Sequence, residues 1–395
     1  MPVSQRKLLG AWYTPPELVD AVVAEVRRGF APSTVLDPAC GDGRFLAPFT
    51  DSTTLTGIDI DPTTSWTQGD SLSIDWGDQQ FDAVVGNPPF LSQLASSTSR
   101  GGRSRFGGGP YADSAAEFLA LAIRLVRPGG RVGLVLPLSM LSSRDVAAIR
   151  DDVSRRAALR WMWWSTTRMF DANVRVWAGV WEVGGTSREV RRAYGPQFEP
   201  RPAIAMPAQW AGLIADTVAE QHDGPVLGDI ATFTADFRDQ YYGLVGAVSD
   251  SDVGPPLITS GLIEPNECWW GRRSVRFAKQ AFAAPRVDVP ALSPALQRWA
   301  RQRLVPKILI ANQTRRIEAV IDRDGVWLPS VPVITCTTDR LDDVAAVLHS
   351  DAATEWVRYH AAGSGLSATS VRLSARLLAS IPLPATMAAI PNDAN

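Results

Sequence analysis

Phe81-Asp82-Ala83-Val84-Val85-Gly86-Asn87-Pro88-Pro89-Phe90 is the stretch that decides the fold of this chain. Its apolar run reads as a strand buried on both faces. Two prolines then end it, because each removes a backbone donor and stops ladder pairing. The residue before each proline is also kept out of helical space. The strand leads into a stiff, extended turn offering carbonyl oxygens, an amide side chain and an aromatic ring. That set suits an exocyclic amino group on a flat base, with two acceptors for two N–H bonds and a ring to stack on. Taken alone, the same residues also fit a proline-stiffened loop.

Working outward, Thr34-Val35-Leu36-Asp37-Pro38-Ala39-Cys40-Gly41-Asp42-Gly43 is a short strand ending in an acid and a Gly-x-Gly turn. A helix is expected next, through Phe45, Leu46 and Phe49. Glycines there let backbone approach a ligand closely. A dinucleotide site uses similar glycines, but Asp37 and Asp42 would repel a pyrophosphate and attract an ammonium and a sulfonium. Residues 55–62 form the next strand, and its Asp59 lies at the spacing used to grip ribose hydroxyls. Asp61, before Pro62, fits the shaping of a turn. Asp70 ends a short third strand, either as an acceptor for an adenine amino group or as a plain turn acid. Four strand ends thus carry Asp37, Asp59, Asp70 and Asn87, and ligands of doubly wound sheets sit outside such ends.

With Thr14-Pro15-Pro16-Glu17 upstream, the order of motifs resembles the amino-group DNA methyltransferases of the gamma arrangement, typified by the Taq-type adenine-N6 enzyme. Departures are mild: Asp37 stands where many relatives have Glu, and Phe90 where many have Tyr. The resemblance implies S-adenosylmethionine held by Thr14, Asp37, Ala39, Gly41, Gly43, Asp59, Ile60, Asp70 and Asn87. It implies catalysis by Asn87, Pro88 and Phe90, with Phe90 and Phe170 stacking on an extruded adenine of double-stranded DNA. Read without it, Thr14 is a helix cap and Phe170 a core residue. The implied fold is a doubly wound, mostly parallel seven-stranded α/β sheet over residues 1–190. A linker over 191–205 and a mixed α+β target-recognition domain over 206–395 complete it.

Composition agrees. The chain has 395 residues, 45% hydrophobic and 20% charged, enough for two cores. No run approaches the ~20 apolar residues of a membrane span, and the start lacks a signal-peptide core. Three scattered cysteines and three histidines give no disulfide framework and no metal cluster. A cytoplasmic, metal-free protein is expected. The net charge of −2 hides a segregation. Residues 1–99 carry 5 Lys/Arg against 12 Asp/Glu, residues 100–199 carry 16 against 9, and residues 272–316 carry 11 against one. Such asymmetry is a footprint of polyanion binding, and its bland counterpart is a solvated basic face. Candidate DNA contacts are Arg100, Arg103 and Arg105, in the Ser/Gly/Arg-rich stretch 92–110, and Arg272, Arg273, Arg276, Lys307, Arg315 and Arg316.

A helix is expected over 115–126, closed by Pro128-Gly129-Gly130, then strands over 131–138, 159–164 and 174–183. Trp161, Trp163 and Trp164 read as core. Rival functions are methylation of RNA adenine, of cytosine N4 or of a protein glutamine, and a non-catalytic DNA-binding subunit. A restriction or defence-complex partner is compatible with the sequence and not specified by it.

Overall fold

The computed structural model describes residues 14–49, 53–90, 104–109, 112–165, 175–186, 189–214, 222, 224–236, 238–361, 370–384 and 387. The chain divides into two compact units, Met1–Ile214 and Ala215–Asn395.

The first unit is built on one sheet. Its strands are β1 (Thr34–Asp37), β2 (Thr54–Asp59), β3 (Thr67–Gln68), β4 (Phe81–Gly86), β5 (Val126–Pro137), β6 (Ala157–Trp164), β7 (Val176–Val183), β8 (Val190–Tyr194) and β9 (Glu199–Ile204). They lie in the order β3-β2-β1-β4-β5-β7-β6-β8-β9. The first five run parallel, and β7 is antiparallel to both β5 and β6. Alternate residues serve opposite faces. Leu36, Val84, Leu134 and Leu136 join one core with helix α2 (Ser114–Leu125) and α3 (Ala147–Arg156). Val35, Ala83, Val85 and Val135 join the other with α1 (Pro16–Arg27). Central strands are covered on both sides, which is why they read as unbroken apolar runs. Trp161, Trp163 and Trp164 are buried, and the Trp163 indole donates to the Gly195 carbonyl at 2.8 Å.

Three expectations are corrected. Among the described residues the sheet has nine strands, because the expected linker 191–205 is β8 and β9. β8 pairs in parallel with β6, and the buried Arg192 guanidinium donates to the Pro202 and Leu213 carbonyls at 2.9 and 3.0 Å. Pro200 and Pro202 sit on the edge strand, where a missing N–H costs little. The helix expected after Gly43 is a run of turns instead, with Leu46 and Ala47 N–H groups both bonding the Gly43 carbonyl before Pro48 interrupts. Pro128-Gly129-Gly130 lies within β5 as an irregularity: Phe81 pairs with Val126 but Ala83 pairs with Arg131.

The second unit holds an antiparallel four-stranded sheet, in the order Thr232–Ala235, Ile334–Thr337, Lys307–Ile310, Ala319–Asp322. Short two-stranded pairs and helices Leu341–Leu348 and Asp351–His360 surround it. Among the described residues no helix is long and apolar enough to cross a membrane. Nor does any group of three or more His, Cys, Asp or Glu there suit a metal ion.

Candidate functional site

Parallel pairing aligns the carboxyl ends of four neighbouring strands. Asp37 ends β1 beside Gly57 of β2, Asp59 ends β2 beside Gln68 of β3, and Gly86 ends β4 one strand away from β1. The candidate acids and Asn87 therefore lie along one edge of the sheet.

Asp37 is the best shielded of them, at 1% exposed. Its Oδ1 accepts the Ala39 N–H at 3.1 Å. Burial pushes its carboxyl up to about 8, with the Asp59 and Asp42 charges adding to the rise and the Ala39 N–H opposing it. A ligand cation beside it would oppose that shift. Unfolded, this group ionises near 3.8, and folded near about 8. The native state thus holds the proton longer, and stability falls as pH rises from about 4 to about 8. Asp37→Asn should flatten that decline in a series of melting temperatures across pH. An unchanged slope would show that Asp37 is not its source.

Gly86 explains how Asp37 fits. Its φ of +152° disfavours other residues, and a Cβ there would lie 2.6 Å from Asp37 Oδ1. The last strand residue before Asn87 is thus a glycine because the acid of the neighbouring strand touches it. Gly41 and Gly43 both have positive φ, +52° and +79°. They face different surroundings. A Cβ on Gly41 would meet open space, whereas one on Gly43 would strike the Trp66 ring at 2.6 Å, as would one on Gly57. Trp66 therefore packs across the turn and β2, a role for Trp66 and Gly57 that the sequence reading missed.

The remaining acids hold the loops in place. Asp59 Oδ2 accepts the Gly41 N–H at 2.7 Å and Oδ1 accepts the Asp61 N–H at 2.8 Å. Asp70 accepts the Leu72 N–H at 3.1 Å and the Ser73 hydroxyl at 2.8 Å. Its turn-shaping role is thus realised. The Ser71 hydroxyl ties this segment to the Pro38 carbonyl at 2.6 Å. Asp42 pairs with Arg44 at 2.6 Å, which holds its carboxyl below the usual range. Arg44 also donates to the Thr14 carbonyl, so the buried Thr14 reaches the glycine turn from the start of α1. Ile60 stands 58% exposed directly after Asp59, an apolar surface at the carboxyl end of β2.

In the turn after β4, Pro88 is buried and Asn87 Oδ1 is shielded from solvent. Phe90, half-buried, touches both cores. The Pro89 carbonyl accepts the Ser114 hydroxyl at 2.6 Å. Arg105 donates through its guanidinium to the Leu72 carbonyl. Arg100, Arg103 and Phe170 lie outside the described residues.

Residues 53–163 match the sequence profile of the Eco57I restriction-modification methylase. Over that span the chain is similar to Eco57I-type restriction-modification methylases. The matched span runs from β2 into β6 and so includes Asp59, Asp70 and the whole Asn87–Phe90 turn. Two curated relatives are similar. The Type II methyltransferase M.TthHB8I of Thermus thermophilus is 29% identical over 186 residues, 39% of this chain and 40% of that protein. The Type II methyltransferase M.CvrRI of Paramecium bursaria Chlorella virus XZ-6E is 24% identical over 153 residues, 34% of this chain and 38% of that protein. The matches thus span about two fifths of those relatives' lengths. The solved structure of the Type IIL restriction-modification enzyme MmeI in complex with DNA has a similar fold. It covers 96% of this chain and 69% of its own, with TM-score 0.59 and 14% identity.

In the second unit the expected basic contacts separate. Lys307 is corrected: it is fully buried, and its Nζ donates to Asp322 Oδ2 at 2.5 Å and to the Val305 carbonyl at 3.1 Å. Position 307 faces 322 across an antiparallel pair, so each ion is desolvated only because the other is there. Arg272 and Arg273 pair with Glu267 at 2.8 Å and Glu264 at 2.9 Å, acids just upstream of the stretch whose charge was counted. Both guanidinium groups also lie against the Trp269 ring. Arg276, Arg315 and Arg316 are exposed. Arg276 sits on a two-stranded ribbon, Val275–Phe277 with Gln280–Phe282, turned by Ala278 and Lys279 at φ +49° and +69°.

Proposed function

We propose that the chain transfers a methyl group from S-adenosylmethionine to the N6 amino group of an adenine flipped out of duplex DNA, in a restriction-modification setting. The observation that carries this reading is one sheet edge bearing the buried Asp37 and, on the adjacent strand, the Asn87-Pro88-Pro89-Phe90 turn.

The residues fit the cofactor. Asp37 suits its ammonium group, Gly41 leaves open space for close approach, and Asp59, at the end of β2, would accept from ribose hydroxyls. Ile60 offers an apolar face and Asp70 an acceptor for the adenine ring, while Thr14, Ala39 and Gly43 complete the set. When bound, the cofactor supplies the electrophilic methyl group. The chain's own task is to prepare the nucleophile. An adenine amine is weakly nucleophilic because its lone pair is delocalised into the ring. Asn87 Oδ1 and the Pro88 carbonyl accept its two hydrogens and draw the nitrogen toward tetrahedral geometry. Orientation then supplies much of the rate. Flipping a base costs a few kcal/mol, and stacking on Phe90, worth roughly 1–3 kcal/mol, offsets it. Exposed Arg276, Arg315 and Arg316 favour a polyanion against the second unit, as a target-recognition domain requires.

Calorimetric titration with S-adenosylmethionine tests the cofactor assignment. The wild type should bind, and Asp59→Ala should weaken binding about 10- to 100-fold, because charge-assisted bonds worth roughly 1.5–3 kcal/mol are lost. No heat of binding in the wild type would overturn the reading.

A further inference from the structure

The Asn87–Phe90 turn has a mechanical weakness that one hydroxyl on a neighbouring helix removes. Pro88 and Pro89 have no N–H, so the turn has few donors of its own to lock it. Proline rings fix φ at both residues, and ψ of Asn87 and Pro88 is confined because each precedes a proline. The backbone torsions left soft before Phe90 are ψ of Pro89 and φ of Phe90. The first of them helps set where the Phe90 ring stands relative to the amide of Asn87 and the carbonyl of Pro88. The Pro89 carbonyl turns with that torsion, and it is held at 2.6 Å by the hydroxyl of Ser114.

Ser114 is well placed to hold it. It is the first residue of α2, whose N-terminus is capped by Asp113 accepting the Ala115 N–H at 3.0 Å. One turn on, on the same face, the buried Glu117 accepts the Arg105 N–H at 3.0 Å and the Ser104 hydroxyl. Ser104 Oγ in turn accepts the Gly108 and Phe106 N–H groups at 2.6 and 3.1 Å. Arg105 reaches on to the Leu72 carbonyl, two residues past Asp70. The helix end that carries Ser114 is thus braced from several sides.

We infer that Ser114 is a positioning residue for the methyl transfer proposed above, acting through the Pro89 carbonyl to set the Phe90 ring against the flipped base. The inference rests on that proposed reaction. Ser114→Ala deletes one oxygen and leaves the helix cap and Glu117 in place.

The test is a double-mutant cycle with Phe90→Ala, read as single-turnover methyl transfer to duplex DNA, with cofactor Kd and melting temperature measured alongside. Ser114→Ala should lower the transfer rate about 10- to 100-fold, the scale of a misplaced reacting group. Cofactor Kd should stay within about twofold, as for a site whose cofactor side is untouched. In the Phe90→Ala background the same change should have almost no further effect, since the ring it positions is gone. A variant as fast as wild type overturns the inference alone. So do multiplicative losses in the double variant, or a fall in melting temperature that accounts for the lost rate. A wild type that binds cofactor but methylates no duplex overturns the proposed reaction, and this inference with it.

Discussion

Asn87→Ala should lower methyl transfer by about 10²- to 10³-fold, the loss typical of deleting one preorganised hydrogen-bonding group from a reacting centre. The reason lies in where Asn87 sits. It follows Gly86, whose backbone is pressed against Asp37, and it precedes two prolines that allow little adjustment. Its amide oxygen is already shielded from water, so its dipole needs little reorganisation when the amine arrives. Cofactor affinity should change by less than about twofold, because the amide acts on the acceptor amine. Radiolabelled transfer to duplex DNA and cofactor calorimetry on the same preparation separate the two effects. A variant that turns over normally would remove Asn87 from the mechanism.

Asp322→Ala should be the most damaging single change in the second unit, costing about 3–5 kcal/mol. Its carboxylate meets the fully buried Lys307 ammonium and also accepts the Val326 and Trp327 N–H groups at 3.1 and 2.9 Å. Removing it leaves a buried cation with one carbonyl and two backbone donors with no carboxylate to meet. Lys307→Met should cost less, because the carboxylate keeps both N–H bonds and the methionine chain refills the volume. Urea unfolding of the full chain, following the second-unit transition, gives the order. Both variants within about 1 kcal/mol of wild type would contradict the buried pair. A Lys307→Met chain of unchanged stability but weakened DNA binding would restore Lys307 to the surface.

The parts of the site legible in the sequence were those governed by short-range rules. Strands in a parallel sheet share a direction, so Asp37, Asp59, Asp70 and Asn87, each just past an apolar run, had to meet at one edge. The Asn-Pro-Pro turn was legible for the same reason, since proline restricts its neighbours whatever the fold. What escaped depends on partners distant in sequence. Ser114 matters through a carbonyl 25 residues earlier. Burial of Lys307 comes from an acid 15 residues later on a paired strand. Arg272 and Arg273 read as free charges because their partners, Glu267 and Glu264, lie just upstream of residues 272–316. Residues 191–205 read as a linker because prolines, which weaken a central strand, are harmless on the edge strand they occupy. Trp66 gave no signal at all. Its role appears only where Gly43 and Gly57, 14 residues apart, are seen against one ring.

The measurement that bears most directly on the central claim is mass spectrometry of nucleosides from duplex DNA incubated with the wild-type chain and S-adenosylmethionine. N6-methyladenine, formed about 10²- to 10³-fold more slowly by Asn87→Ala, is the predicted result. Unmodified adenine in DNA treated with cofactor-bound protein, or a methyl group found on cytosine N4 instead, would contradict it.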